Sequence, residues 1–179
     1  KATTTGYMLF KRFNRSISKT SPGVASQNRP SIIFRLADFY LIYAEVANEV
    51  NPSDSRVLTY LNLVRERAGL PKVEILNPGI VGNKELQRAA IQRERQIELA
   101  TEGQRYFDVR RWMIADKDGE GRQNGYAHGM NVRGTINDTE EFNRVVETEK
   151  IVFNRKMYLQ PIPDHEMRKT QNLVQNPGW

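Results

Sequence analysis

The chain has no cysteine. That absence removes disulfides, thiolate nucleophiles and cysteine-type zinc sites together. Histidine is almost as scarce. Only His128 and His165 occur, far apart and without a partner motif, so neither points to a metal site or a catalytic dyad. No apolar run approaches the roughly 18 residues of a membrane span. No signal peptide is visible, and the first residue is Lys1, which fits a processed or truncated chain. Runs of like charge are missing as well. The net charge of +6 could suit an anionic partner. However, basic residues never reach five in a row and are spread among acids, so nucleic acid is not the expected partner.

What remains is enough for one sizeable domain: 179 residues, 39 % hydrophobic and 27 % charged. The charge concentrates in Arg93–Trp112, which holds five arginines and four acids. On a helical wheel, Leu86, Ala90, Ile97 and Ala100 form an apolar stripe with Arg93 in its middle, while Ile91 and Leu99 fall elsewhere. Charges so mixed with apolar residues are expected to sit in ion pairs against neighbouring elements, because an unpaired buried charge costs several kcal/mol. The expected network comprises Asp38, Glu45, Arg93, Arg95, Glu98, Glu102, Arg105 and Asp108.

The chain reads in four parts: a helical hairpin over 33–69, a charged helix over 83–115, a loop over 116–150 and a C-terminal segment over 151–179. Before them, Tyr7 to Phe13 alternate aromatic and basic residues, and a polar loop with Pro22-Gly23 follows. Helix one, about Ile33–Glu49, is apolar nearly all round and so is expected to be buried. Its acids Asp38 and Glu45 then need arginines from helix two or from the charged stretch. Helix two carries the stripe Val57, Leu61, Val64 and Ala68 and stops at Gly69 before Pro71. Two such helices joined by a short turn have the length of one tetratricopeptide unit. Asn83 can cap a helix over Lys84–Glu102, Gly103 ends it, and a shorter helix follows to Ala115. The glycine-rich stretch from Asp116 to Asn137 shows almost no periodicity and reads as a long loop. Short extended pieces at 151–153 and 157–159 precede Pro161-Ile162-Pro163 and the tail Gln175–Trp179.

Several of these pieces, in order, resemble the SusD/RagB family of outer-membrane nutrient-binding lipoproteins. Arg35-Leu36-Ala37-Asp38-Phe39-Tyr40-Leu41-Ile42-Tyr43-Ala44-Glu45 resembles the family's buried-helix motif, with Asp38 where Glu is usual. Leu61 to Leu70 resembles the next helix and its stop. Glu94-Arg95 through Trp112 resembles its longest signature, with Val109 where Leu is common. Tyr158-Leu159-Gln160-Pro161-Ile162-Pro163 and Gln175-Asn176-Pro177-Gly178-Trp179 resemble its C-terminal ending, and Thr5-Gly6-Tyr7 with Lys11 to Phe13 its segment upstream of the buried helix. The resemblance implies an all-α fold of tetratricopeptide-like helical hairpins with long irregular loops. It also implies that this chain is the C-terminal portion of a protein about three times as long, whose N-terminal part carries a lipid-anchored cysteine.

By the same resemblance the protein captures a nutrient, most often an oligosaccharide, at the cell surface. It delivers the ligand to a SusC-like TonB-dependent transporter in the outer membrane. No enzyme activity and no cofactor is implied, and the residues offer no nucleophile–base pair, phosphate loop or metal spacing. The helical carboxylate pairs Glu94/Glu98 and Glu98/Glu102 are interspersed with arginines, unlike the open acid pair of a glycosidase. Sugars stack on aromatic rings while polar side chains take their hydroxyls. The candidate ligand residues are therefore Asn124, Tyr126, His128 and Asn131 of the glycine-rich loop. The competing reading is an ordered loop whose Tyr126 packs back on the helices. Trp112 is expected to be buried and Trp179 to seal the C-terminus. The functional alternative is a helical-repeat module that binds another protein without a small ligand.

Overall fold

In the computed structural model the described residues are 7, 9, 11, 31–117, 124–131 and 145–179, with only the backbone of 145–148 described. Most of the aromatic-basic segment before residue 14, the Pro22-Gly23 loop and the turns at 118–121 and 133–134 lie outside them. The chain divides into two compact units, one of Pro30–Asp108 and one joining Lys1–Arg29 to Val109–Trp179.

The first unit is helical. Helices α1 (Leu36–Val50) and α2 (Arg56–Arg67) form the hairpin, and α3 (Val73–Leu76) and a 3-10 turn (Pro78–Ile80) lead to α4 (Lys84–Glu98). Its core is Leu41 and Ala44 of α1, Val57, Leu61 and Val64 of α2, then Val73, Ile80 and Ile91. Tyr40 and Tyr43 pack on the ring of Tyr60, with centroids 5.3 and 4.6 Å away. Buried amides pin the elements together. Asn48 donates from Nδ2 to the Lys84 carbonyl, Gln87 from Nε2 to the Ile80 carbonyl, and the Asn62 amide bridges the Val73 N–H and the Glu74 carboxylate. Asn83 caps α4 by accepting the Leu86 N–H at 3.1 Å.

Three features depart from the sequence reading. Helix α1 is not buried all round, since Leu36, Phe39, Tyr43, Val46 and Val50 point outward and stay exposed. The face that α4 buries is Gln87, Ile91, Glu94 and Arg95, while Leu86, Ile97 and Ala100 of the expected stripe, and Arg93 with them, are exposed. A helix wheel weighs apolar character alone; here the polar members of the buried face have partners that only the folded chain supplies. Finally, α4 stops at Glu98, four residues early. The Glu98 carbonyl, which a continuing helix would offer to the Glu102 N–H, accepts instead from Arg35 Nη2 at 2.6 Å. The Glu102 N–H turns to the Leu99 carbonyl, and Thr101 (φ 68°) and Gly103 (φ 84°) take left-handed backbone before α5 (Gln104–Arg111) begins.

In the second unit, the region read as a loop over 116–150 contains an antiparallel hairpin of β1 (Gly125–Met130) and β2 (Val145–Ile151). Register runs from Gly125 opposite Ile151 to Met130 opposite Val145. A bulge sets residues 148 and 149 of β2 against Ala127 alone. A second 3-10 turn (Arg155–Tyr158) follows, so Met157-Tyr158 is helical rather than extended. A last turn of helix, α6 (Asp164–Met167), precedes the tail. Val109, Ala115 and Phe153 form a small core, with Ile114, Met157 and Tyr158 packed on it.

Candidate functional site

Much of the charge of the 93–112 stretch, namely Glu94, Arg95, Glu98, Glu102 and Asp108, braces the helical unit. Arg95 lies between two acids: its Nε and Nη2 donate to Asp108 at 2.9 and 3.1 Å, and its Nη1 donates to Asp38 at 2.8 Å. Arg35, just ahead of α1, binds the Glu102 carboxylate through Nε and Nη2 and the Glu98 carboxylate through Nη1. Arg67 also reaches Glu98, and Arg65 of α2 pairs with Glu94. Asp38, Glu94, Glu98, Glu102 and Asp108 have side chains only 4–10 % exposed. Carboxylates each held by a guanidinium and shut from solvent cannot flank a sugar as a glycosidase pair must. Of the remaining network candidates, Glu45 and Arg105 are half-buried on α1 and α5, and Arg93 is exposed with no ion pair to a described residue.

The ligand candidates lie in the other unit, on β1 and its flanks. Tyr126 and His128 are two residues apart, hence on one face of the strand, and both are exposed. The bulge is on β2, so the alternation along β1 survives it. Tyr126 is 48 % exposed, and Lys150, its cross-strand partner, places Nζ 5.7 Å from the ring centroid. An aromatic ring, an imidazole and an ammonium thus share the outer surface of one hairpin. The ring does not pack back into a core. Asn124 stands at the strand's start, where its Oδ1 accepts the Phe153 N–H at 3.0 Å and so ties the hairpin down. Asn131 is half-buried just past the strand's end and has the opposite parity to Tyr126. Sequence reasoning missed Lys150. The β-branched run Val145, Val146, Thr148 and Ile151 was the available strand signal.

The family to which the fold belongs is decided by its match along the whole chain: the model of the SusD family matches residues 1–179. The chain belongs to the SusD family. A SusD-like protein of Formosa agariphila is 44 % identical over 106 residues, covering 59 % of this chain and 19 % of that protein. A second SusD-like protein of that organism is 31 % identical over 153 residues, covering 83 % and 26 %. A crystal structure of a SusD-like protein from Bacteroides fragilis aligns with a TM-score of 0.66 at 30 % identity, over 83 % of this chain and 26 % of that one. The fold is therefore the family's all-α, tetratricopeptide-like one. The chain spans about a quarter or less of the curated relatives it matches.

The C-terminal ending characteristic of the SusD resemblance is also locked. Trp179 donates its indole N–H to the Lys156 and Leu159 carbonyls at 3.0 Å each, and Lys156 Nζ lies 4.3 Å from its ring centroid. The indole remains 44 % exposed, so it pins the tail without being enclosed. Trp112 is half-buried rather than buried, with the Arg111 guanidinium 4.7 Å from its ring centroid. Tyr158 donates its hydroxyl to Asp116 at 2.5 Å and accepts the Asp116 N–H. That bond holds the Asp116 carboxyl below its ordinary range, and burial with the adjacent carboxylate pushes the Tyr158 phenol up. An open apolar hollow of about 530 Å³, lined by Met113, Arg155, Lys156, Tyr158, Leu159, Pro177 and Gly178, lies beside this ending.

Proposed function

We propose that this chain is part of a cell-surface nutrient-binding protein that captures an oligosaccharide and passes it to a SusC-like TonB-dependent transporter. Membership of the SusD family supports the class of function. The observation that carries the site is the outward face of the β1–β2 hairpin, where Tyr126, His128 and Lys150 are presented together. A sugar ring lays its apolar C–H face on the Tyr126 ring, while the imidazole and ammonium take hydroxyl oxygens at its edge. Asn124 holds the hairpin in place, and Asn131 is a peripheral polar contact. The role is binding without covalent chemistry, at the outer membrane's external surface, with a lipid-modified cysteine outside these residues as the anchor. Nucleic acid is not a partner in this reading.

Affinity electrophoresis of the full-length protein through gels containing candidate glycans tests the proposal. The parent is expected to be retarded by at least one glycan, and Tyr126→Ala to migrate as in a glycan-free gel. Retention of a barrel transporter during purification from membranes tests the partner; a preparation consistently free of any such protein counts against it.

A further inference from the structure

The open hollow of about 530 Å³ beside the C-terminal ending has the volume of a small-molecule pocket. One of its walls comes from a residue in a strained conformation. Helix α5 ends in the hydrogen-bond pattern of a glycine stop. The Ile114 N–H donates to the Val109 carbonyl at 2.9 Å and the Met113 N–H to the Arg110 carbonyl at 3.0 Å. The left-handed position of that pattern is Met113, with φ 54°, where glycine would carry no steric cost. Its side chain lines the hollow and is 48 % exposed, so burial does not offset the strain. A non-glycine residue held in left-handed backbone points to a local function.

The other walls are flat and fixed. Tyr158 is held at both ends, by its hydroxyl on Asp116 and by edge-to-face packing on Phe153 with centroids 5.0 Å apart. Pro177 adds a rigid ring. Gly178 adds a bare peptide, so close to Lys156 that a Cβ would lie 2.9 Å from the lysine Cβ. Arg155 and Lys156 bring two positive charges to this lining, and no carboxylate is part of it. Neither pairs with an acid among the described residues. Lys156 rests its ammonium over the Trp179 ring, and Arg155 is exposed. Asp116 feels Arg155 only beyond ion-pair distance, and it already takes the Tyr158 hydroxyl.

We propose that this hollow binds a small aromatic carboxylate. The ring lies against the Met113 thioether and the Tyr158 ring, in sulfur–aromatic and ring–ring contacts that a flexible alkyl chain cannot make. The carboxylate takes the Arg155 guanidinium, whose parallel N–H groups match its two oxygens, and Lys156 adds a second positive charge. A neutral sugar is a poor fit, since apolar walls leave its hydroxyls without partners. The hollow shares no residue with the Tyr126, His128 and Lys150 face, so the two sites stand or fall separately.

NMR of the full-length protein, with its methionine methyl groups labelled with carbon-13, tests the proposal in a titration with cinnamate. Met113→Gly assigns the Met113 signal and relieves the left-handed strain, so the fold is retained. Cinnamate is expected to move that methyl upfield and saturably, through the ring current of the bound ligand. Cinnamamide has the same shape without the charge, and it is expected to need at least tenfold more ligand; so is cinnamate with Arg155→Gln. Octanoate is expected to bind at least threefold more weakly than cinnamate at the same methyl. A Met113 signal that does not move, as when the hollow is already filled in the full-length protein, overturns the proposal. A loss of less than tenfold for cinnamamide overturns it without recourse to a variant, and a loss of less than tenfold for Arg155→Gln does the same. A difference of less than threefold between octanoate and cinnamate overturns the aromatic class.

Discussion

Replacing Arg95 by alanine removes three hydrogen bonds and the cation that separates two buried acids. Asp108 loses bonds of 2.9 and 3.1 Å and Asp38 one of 2.8 Å, at carboxylates 4 and 9 % exposed. Breaking a buried pair from one side costs about 3–5 kcal/mol, because the remaining buried charges lose their guanidinium counter-ion without gaining solvent. A domain's whole stability is about 5–15 kcal/mol. With a urea dependence of about 1–3 kcal/mol per molar, Arg95→Ala is expected to lower the unfolding midpoint by about 1–5 M. Arg95→Lys should fall between the two proteins, since one ammonium cannot reproduce the planar fork that serves both acids. The triple replacement Arg95→Met, Asp38→Leu, Asp108→Leu should recover most of the loss, because it removes all three charges together. Urea unfolding followed by circular dichroism reads all four proteins. An Arg95→Ala midpoint equivalent to less than about 1 kcal/mol from the parent would contradict the buried bridge, that value being typical of a surface pair.

Three further outcomes follow from the same contacts. Arg88, at 2.6 Å, and Lys84 hold Glu49 with its pKa lowered from 4.5 to about 2. A carboxyl depressed on folding stabilises above its unfolded value, so this contribution is present above pH 4.5 and is lost as pH falls towards 2. Glu49→Gln should therefore flatten the acid limb of the stability curve in that window. The effect should be less than about 1 kcal/mol because the side chain is two-fifths exposed; identical acid limbs would exclude it. Gly178 has φ +86°, and a Cβ there would meet Lys156 Cβ at 2.9 Å, so Gly178→Ala should release the Trp179 tail. Faster amide exchange at Trp179 with an unchanged helical unit is the expected signature, and unchanged exchange would refute it. Tyr158→Phe leaves the Asp116 carboxylate without its phenol donor and should cost about 0.5–1.5 kcal/mol in a thermal or urea titration.

The helical hairpin was legible because its signals are local. The spacing of Val57, Leu61 and Val64, the stop at Gly69 and the cap at Asn83 each depend on residues a few positions away. The orientation of α4 was not, since Gln87, Glu94 and Arg95 are buried only because Ile80, Arg65, Asp38 and Asp108 come to meet them from distant positions. The early end of α4 has the same origin, a guanidinium 63 residues upstream competing for the Glu98 carbonyl. The exposed side of α1 looked like core for a related reason: a helix wheel registers apolar character, and Leu36, Phe39, Val46 and Val50 are apolar although the helical unit does not enclose them. At the hairpin, glycine and asparagine masked an alternation that Tyr126 and His128 obey. Lys150 joins them only through strand pairing, which no short-range pattern reveals.

The most direct test of the account is titration of the full-length protein with the glycan that retards it, before and after Tyr126→Ala. The account predicts that the heat of binding disappears in the variant while its melting curve overlays the parent's. Binding of equal strength in Tyr126→Ala, or a parent that binds no glycan at all, would contradict it.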